Sequence, residues 1–357
     1  MKHLLCTGGG TAGHVLPAIP IIQRARAAGA KVSFVGSRSG LEARLLADQP
    51  VTYHGIASGK LRRYLSLENL LDVVRVIAGI WQAFWLLGRL KPDVVFSKGG
   101  FVSFPVVFAA WLRRLPVVAH ESDLTPGLAN RLALPFLRTL CVTFPETRAP
   151  RLRGRLVVTG TPLRDALLEG DAVRGRELVQ AEGRPILLVT GGSLGADMVN
   201  RAVRETLDAL LERFVVAHVC GPGKRTSREV AGYHQFEYVT DDWGDLLAAA
   251  DLVVSRAGAN TLFELLALHK PCLLIPLSPR VSRGDQVENA DYARARGYCR
   301  VLPEDDLSGQ TLLAAVQDTW RDRAELDRHL TGFNRPDAAG AILRELEAVA
   351  PGGGAGC

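Results

Sequence analysis

Leu4-Leu5-Cys6-Thr7-Gly8-Gly9-Gly10-Thr11-Ala12-Gly13-His14 and Ile186-Leu187-Leu188-Val189-Thr190-Gly191-Gly192-Ser193-Leu194-Gly195-Ala196 are two versions of one arrangement. In each, an uninterrupted apolar run enters a glycine-rich turn and then a stretch of helical character. A strand that is apolar without alternation is buried on both faces, the mark of a parallel sheet covered by helices. Outward from the first turn, the same reading predicts strands at Lys31–Val35, Val51–Ile56, Asp93–Ser97, Pro116–His120, Leu140–Thr143 and Leu156–Thr159. Outward from the second, it predicts Phe214–Cys220, Phe236–Val239, Asp251–Ser255 and Cys272–Ile275. The fold expected is α/β, with two Rossmann-like parallel-sheet domains facing a cleft.

A chain of 357 residues is too long for one ordinary core and suits two domains. The first is expected over residues 1–161, joined by a returning helix over 337–350 after the break at Phe333-Asn334-Arg335-Pro336. The second is expected over 162–336, with a charged helical stretch from Gln310 to His329, and 351–357 as a disordered tail. A hinge is expected near Gly160 and the Phe333 break. Apolar content of 47% and charged content of 22% are those of an ordinary globular protein. The net charge of +6 points to an anionic partner without choosing among nucleotide, phospholipid and nucleic acid. The six cysteines lack CxxC spacing and sit mostly in strand-like runs, so buried free thiols are expected. The chain enters its first strand directly, and no signal peptide is expected. The longest apolar run, Val76 to Gly88, falls short of the about 20 residues that a membrane span requires.

The two turns taken singly mislead. Gly8-x-Gly10-x-x-Gly13 fits the dinucleotide fingerprint, but the second strand ends Val35-Gly36-Ser37-Arg38 instead of on an acidic ribose ligand. Arg38 leaves an NADP reading open. Gly191-x-Ser193-x-Gly195 fits a hydrolase nucleophile elbow, yet a hydrolase has no use for the matching turn in the first half. A reading that uses both turns places a ligand at the carboxyl ends of parallel strands in each half. There, glycines let backbone N–H groups approach phosphate, and a helix N-terminus adds partial positive charge. The second turn would hold a diphosphate and the first would serve the acceptor.

Here the chain closely resembles the MurG family of GT-B glycosyltransferases, over nearly its whole length. Gly9-Gly10-Thr11-Ala12-Gly13-His14 is similar to that family's GGTGGH, with Ala12 for a glycine. Lys91-Pro92-Asp93-Val94-Val95 and Lys98-Gly99-Gly100-Phe101-Val102-Ser103 resemble PDVV and GGYVS. His120-Glu121-Ser122-Asp123 resembles HEQN, with Asp123 where asparagine is usual. In the second half, Gly191 to Ala196 resembles GGSQGA with leucine for glutamine. Ser255-Arg256-Ala257-Gly258-Ala259, the following Thr261 to Glu264, Gln286 and Asn289-Ala290 complete the set.

The resemblance implies inverting transfer of GlcNAc from UDP-GlcNAc to the C4 hydroxyl of MurNAc in the undecaprenyl-linked acceptor lipid I, giving lipid II for peptidoglycan synthesis. Donor contacts are implied at Thr11, Ala12, Gly13, Asp123, Arg164, Ser193, Thr240, Ala259, Asn260, Thr261, Leu262, Phe263, Glu264 and Gln286. Glu264 would accept the ribose hydroxyls, Thr240 would lie near uracil and Gln286 would reach the sugar. An ionised Asp123 cannot donate the hydrogen bond an asparagine would. No Asp-x-Asp pair occurs, so no metal and no cofactor are expected, and the leaving UDP would rely on the helix after Ser193 and on Arg164. His14, expected at a helix start that disfavours imidazolium, and Glu121 are alternative general bases.

A membrane-bound acceptor implies a docking surface. Ile77, Ile80, Trp81, Phe84 and Trp85 fall largely on helical spacing, with Trp111 nearby and Lys60, Arg62, Arg63, Arg75, Arg89, Arg113 and Arg114 around them. An apolar face with a basic rim suits an anionic inner leaflet. The protein is therefore expected to be peripheral, on the cytoplasmic face of the membrane, with no nucleic-acid partner. A UDP-GlcNAc 2-epimerase and a non-catalytic sugar-nucleotide-binding protein are the alternatives.

Overall fold

The computed structural model describes residues 1–59 and 67–351, with only the backbone of residues 67–71. Lys60, Arg62, Arg63 and Cys357 lie outside the described residues. The chain divides into two compact units, residues 1–164 with 336–357, and residues 165–335.

The first unit is a seven-stranded sheet in the order β3-β2-β1-β4-β5-β6-β7. Its strands are β1 (His3–Thr7), β2 (Lys31–Ser37), β3 (Thr52–Ile56), β4 (Val94–Ser97), β5 (Val117–Glu121), β6 (Thr139–Val142) and β7 (Arg155–Val158). The second is a six-stranded sheet in the order β10-β9-β8-β11-β12-β13. Its strands are β8 (Ile186–Thr190), β9 (Val215–Val219), β10 (Tyr233–Phe236), β11 (Leu252–Ser255), β12 (Cys272–Leu274) and β13 (Arg300–Val301). Every pairing is parallel. Strand order reverses direction between β1 and β4 and again between β8 and β11. Loops at the carboxyl ends of such a pair splay apart and leave room for a ligand.

Apolar layers cover both faces of the first sheet. Leu4, Cys6, Phe34 and Phe96 pack with Ile21, Ile22 and the final helix, Ala338–Val349, which contributes Ala339, Ile342 and Leu346. Asp337 caps that helix through Gly340 N and also pairs with Arg24. On the other face, Leu5, Val95 and Val117 pack with Ala83, Leu87, Val106 and Ala110.

Two expectations need correction. The strand placed at Phe236–Val239 is Tyr233–Phe236, because buried Tyr233 pairs its ring with His218 beneath it. The charged stretch after Gln310 is helical as expected, in two helices, Gly309–Arg321 and Arg323–Thr331, meeting at Asp322, and the first opens on a Ser308–Thr311 capping box. His14 lies in a three-residue 3-10 turn, and the first α-helix begins only at Ile19, so no helix dipole bears on its ring. The described cysteines, Cys6, Cys141, Cys220, Cys272 and Cys299, are buried free thiols. Burial pushes Cys141 up to about 12.

Candidate active site

In the first unit, chemistry collects at the carboxyl edge of the sheet. The turn after β1 is braced from beside β2, where buried Glu42 accepts from Gly10 N (2.8 Å) and Ser37 Oγ (3.0 Å). The turn after β4 lies against it, with Gly9 N donating to Gly99 O (3.3 Å). Gly100, at φ +83, sits so close that a Cβ would stand 2.0 Å from Gly9 O. Within the first turn Thr11 is exposed, Ala12, Gly13 and His14 are half-buried, and Thr11 Oγ1 lies 3.0 Å from His14 Nδ1.

The loop after β5 is organised by Glu121. Its carboxylate accepts from Asp123 N (3.0 Å), Gly127 N (2.9 Å) and Asn130 Nδ2 (2.9 Å). These bonds hold the His120–Asp123 motif over the sheet edge and commit Glu121 to its own loop. His120 donates from Nε2 to Gly160 O (2.8 Å), and burial together with the Lys98 charge holds its ring well below the ordinary imidazole range. Lys98, fully enclosed after β4, donates to Ser122 Oγ (2.6 Å). Thr143 and Thr161 meet at 2.9 Å beyond β6 and β7, and half-buried Arg164 ends this part of the unit.

The second unit has a matching edge. In the turn after β8, Gly192 and Gly195 take positive φ, and a Cβ on Gly195 would stand 1.9 Å from Cys220 O. Ser193 is exposed there, ahead of the helix Asp197–Glu205, whose first turn carries no side-chain cap. After β11, Gly258 opens the helix Ala259–Ala267, also without a side-chain cap. This helix sorts the expected donor contacts. Ala259, Leu262 and Phe263 are buried, so they offer a ligand main chain only, whereas Asn260, Thr261 and Glu264 are half-buried on the outer side. Gln286 accepts from Leu277 N (3.0 Å), which ties the loop after β12 to the helix Asp285–Ala295. Asn289 donates to Ala257 O (3.2 Å). Thr240 is exposed beyond β10.

Three charged residues were given no role by the sequence reading: Glu42, Lys98 and Glu304. Glu304 pairs with Arg256 at low exposure and accepts from Ser278 N (2.9 Å), clamping the loops after β11 and β12. In sequence each looks like a solvated charge. The Gly-x-Ser-x-Gly string has no hydrolase partner in His218, which is enclosed by Asn200 Oδ1 and Tyr233 OH at 2.9 Å and held down to about 3 by burial. Among the described residues, no group of three or more His, Cys, Asp or Glu could hold a metal ion.

Two parallel-sheet units, each with glycine turns at its switch point, are the architecture of the GT-B fold. Residues 4–142 match the glycosyltransferase family 28 N-terminal domain and residues 186–338 its C-terminal domain. The chain belongs to glycosyltransferase family 28. It is 48% identical over 344 residues, 95% of each chain, to the UDP-N-acetylglucosamine--N-acetylmuramyl-(pentapeptide) pyrophosphoryl-undecaprenol N-acetylglucosamine transferase of Legionella pneumophila (strain Paris). To the protein of that name from Lachnospira eligens it is 48% identical over 350 residues, 97% of this chain and 99% of the relative. Among solved structures, Acinetobacter baumannii MurG superposes with a TM-score of 0.75 at 24% identity, covering 97% and 99% of the two chains. A Neisseria meningitidis UDP-GlcNAc 2-epimerase reaches 0.68 at 16% identity, with the same coverage. At such identities the likeness shows the fold alone.

Proposed function

We infer that this chain transfers GlcNAc from UDP-GlcNAc to the MurNAc of undecaprenyl-pyrophosphoryl-MurNAc-pentapeptide, the lipid-linked precursor of peptidoglycan. The observation that carries this reading is the 48% identity, along 95% of both chains, to relatives whose name states that donor and acceptor. The epimerase shares only the fold.

In the mechanism we favour, the C4 hydroxyl of MurNAc attacks the anomeric carbon of GlcNAc as the bond to UDP breaks, with inversion. His14 takes the hydroxyl proton. With Nδ1–H donated to Thr11 Oγ1, its Nε2 carries the lone pair. Glu121, already accepting three hydrogen bonds from its own loop, is the weaker candidate for this step. The charge developing on UDP meets the uncapped N-terminus of Asp197–Glu205 beside Ser193, with Arg164 as the counter-cation. Glu264 accepts the ribose hydroxyls and Thr240 lies near uracil. The resemblance also assigns donor contacts to Thr11, Ala12, Gly13 and Asp123, and to Asn260, Thr261 and Gln286.

The docking surface is the helix Leu67–Leu90, long and apolar enough over Asp72–Leu90 to cross a membrane by length and composition. The uninterrupted count in the sequence stops at Val76–Gly88, where Arg75 and Arg89 flank the run. Its Ala83 and Leu87 are buried in the first unit's core, while Ile77, Trp81 and Trp85 stand 51%, 59% and 69% exposed. One face fastened and one face apolar suits a helix lying on the bilayer. Ile80 and Phe84 are half-buried between these faces.

The test is UDP release from UDP-GlcNAc with and without a soluble lipid I analogue, in EDTA. Release that requires the analogue and persists in EDTA is expected. Formation of the manno epimer from donor alone would replace the transferase with the isomerase. Activity restored to a chelated sample only by magnesium or manganese would overturn the metal-free mechanism.

A further inference from the structure

The proposed reaction leaves Lys98 unused, although it is among the largest fully buried side chains of the protein. A buried ammonium is costly unless its surroundings stabilise it. Here Nζ donates to Ser122 Oγ at 2.6 Å, and the residues flanking that serine, Glu121 and Asp123, act on the ammonium with their negative charges. Glu121 in turn fixes the loop through Asp123 N, Gly127 N and Asn130. Ammonium, carboxylates and loop backbone therefore form one assembly at the carboxyl end of β5. The charge balance is informative. A cation at 98 and an anion at 123 leave this edge with the same net charge as neutral side chains at both positions. Asp123 stands where the family resemblance leads one to expect an asparagine.

We propose that Lys98 is a positioning residue for the transfer reaction: anchored on Ser122, its ammonium offsets the Asp123 carboxylate and holds the loop after β5, so that an aspartate can serve as a donor contact. The proposal rests on the reading of Asp123 as a donor contact. Burial pulls the Lys98 ammonium down to about 8 against the upward pull of Glu121 and Asp123. The third titratable group beside it, His120, stays neutral. The ammonium thus persists at neutral pH and is lost just above it.

The experiment compares wild type, Lys98→Met, Asp123→Asn and the double variant in GlcNAc transfer to a soluble lipid I analogue, with kcat and donor KM separated. Each single variant should raise donor KM by about ten-fold, and the double should return to within about three-fold of wild type, since each change alone leaves a charge without its partner. The profile of kcat/KM against pH should fall on a basic limb near pH 8 in wild type. That limb should move to lower pH in Asp123→Asn, where the ammonium loses one supporting carboxylate. A residue that only fills space would move stability but not this limb. If Lys98→Met does not fold, the limb shift in Asp123→Asn decides alone. Additive losses in the double variant, an unchanged KM in Lys98→Met or an unmoved limb would overturn the proposal. A wild type that transfers nothing would defeat the assigned reaction instead. The coupling would then be read from UDP-GlcNAc binding by calorimetry on the same variants, with additive losses of affinity counting against it.

Discussion

His14 and Lys98 show how far single residues can be read. The glycine turn makes His14 conspicuous, and the hydrogen bond between its Nδ1 and Thr11 Oγ1 gives the ring an orientation that a dipole argument from sequence attributed to a helix that begins later. His14→Gln should cut kcat by about a hundred-fold or more while leaving donor KM nearly unchanged, as expected for loss of a general base. Glu121→Gln should act mainly on stability, by weakening the bonds that order its loop. Steady-state kinetics beside thermal melts separate the two. Lys98 was invisible as anything but a charge, because Ser122, which its ammonium meets, and the carboxylates acting on it come from the end of another strand. Its folded value of about 8 lies below its ordinary 10.5. Below about pH 8 both folded and unfolded chains hold the proton, and the folded state bears the whole cost of burial. Between these values the folded chain sheds the proton first, so stability contributed here rises with pH by on the order of 3 kcal/mol. Urea midpoints at the two ends of this window should show wild type gaining on Lys98→Met as pH increases. A constant difference would show that the side chain stays charged.

At the scale of elements, the parallel strands were legible because both faces are covered, so burial appears in sequence as unbroken apolar runs. β13 was not, since Arg300–Val301 is only two residues long and carries a charge. The division at Asp322 was hidden because both helices read as equally charged. Loop-to-loop bracing was also out of reach, and it is what gives the glycine turns their shape. Gly195→Ala would combine positive φ with a Cβ driven onto Cys220 O, at a cost of roughly 1–3 kcal/mol from the backbone alone. A lower melting temperature and weakened UDP binding are expected together. A variant that melts like wild type would show the turn is not held against β9. The Arg256–Glu304 pair predicts a larger loss. Glu304→Ala leaves Arg256 nearly enclosed without its carboxylate and removes the acceptor for Ser278 N, so about 3–5 kcal/mol should disappear from denaturant unfolding. A change under about 1 kcal/mol would mean that water takes the carboxylate's place.

At the scale of the whole molecule, what matters is where a membrane-held acceptor can meet the first unit's loop edge. The helix Ser103–Leu112 starts beside the Lys98–Val102 turn and carries half-exposed Trp111 and Leu112 at its far end, roughly 15 Å away at 1.5 Å per residue. Along it packs Leu67–Leu90, whose Trp81 and Trp85 stand edge-on to Phe84, itself covered by the Arg113 guanidinium at 4.0 Å. Aromatic groups exposed at one end of a helix whose other end reaches the turn after β4 would keep the lipid in the bilayer while the sugar enters the loops. Exposed Arg75, Arg89 and Arg114 would add about 1 kcal/mol each on an anionic surface, and salt would screen this. Binding to anionic vesicles should therefore weaken as salt rises. Trp81→Ser with Trp85→Ser should reduce turnover of acceptor held in vesicles several-fold, yet spare a short-chain soluble analogue. Both side chains are mainly exposed, so the folded core should survive their loss, as a melt would verify. Equal loss on both acceptors by a folded protein would place these tryptophans in substrate binding and move the docking surface elsewhere.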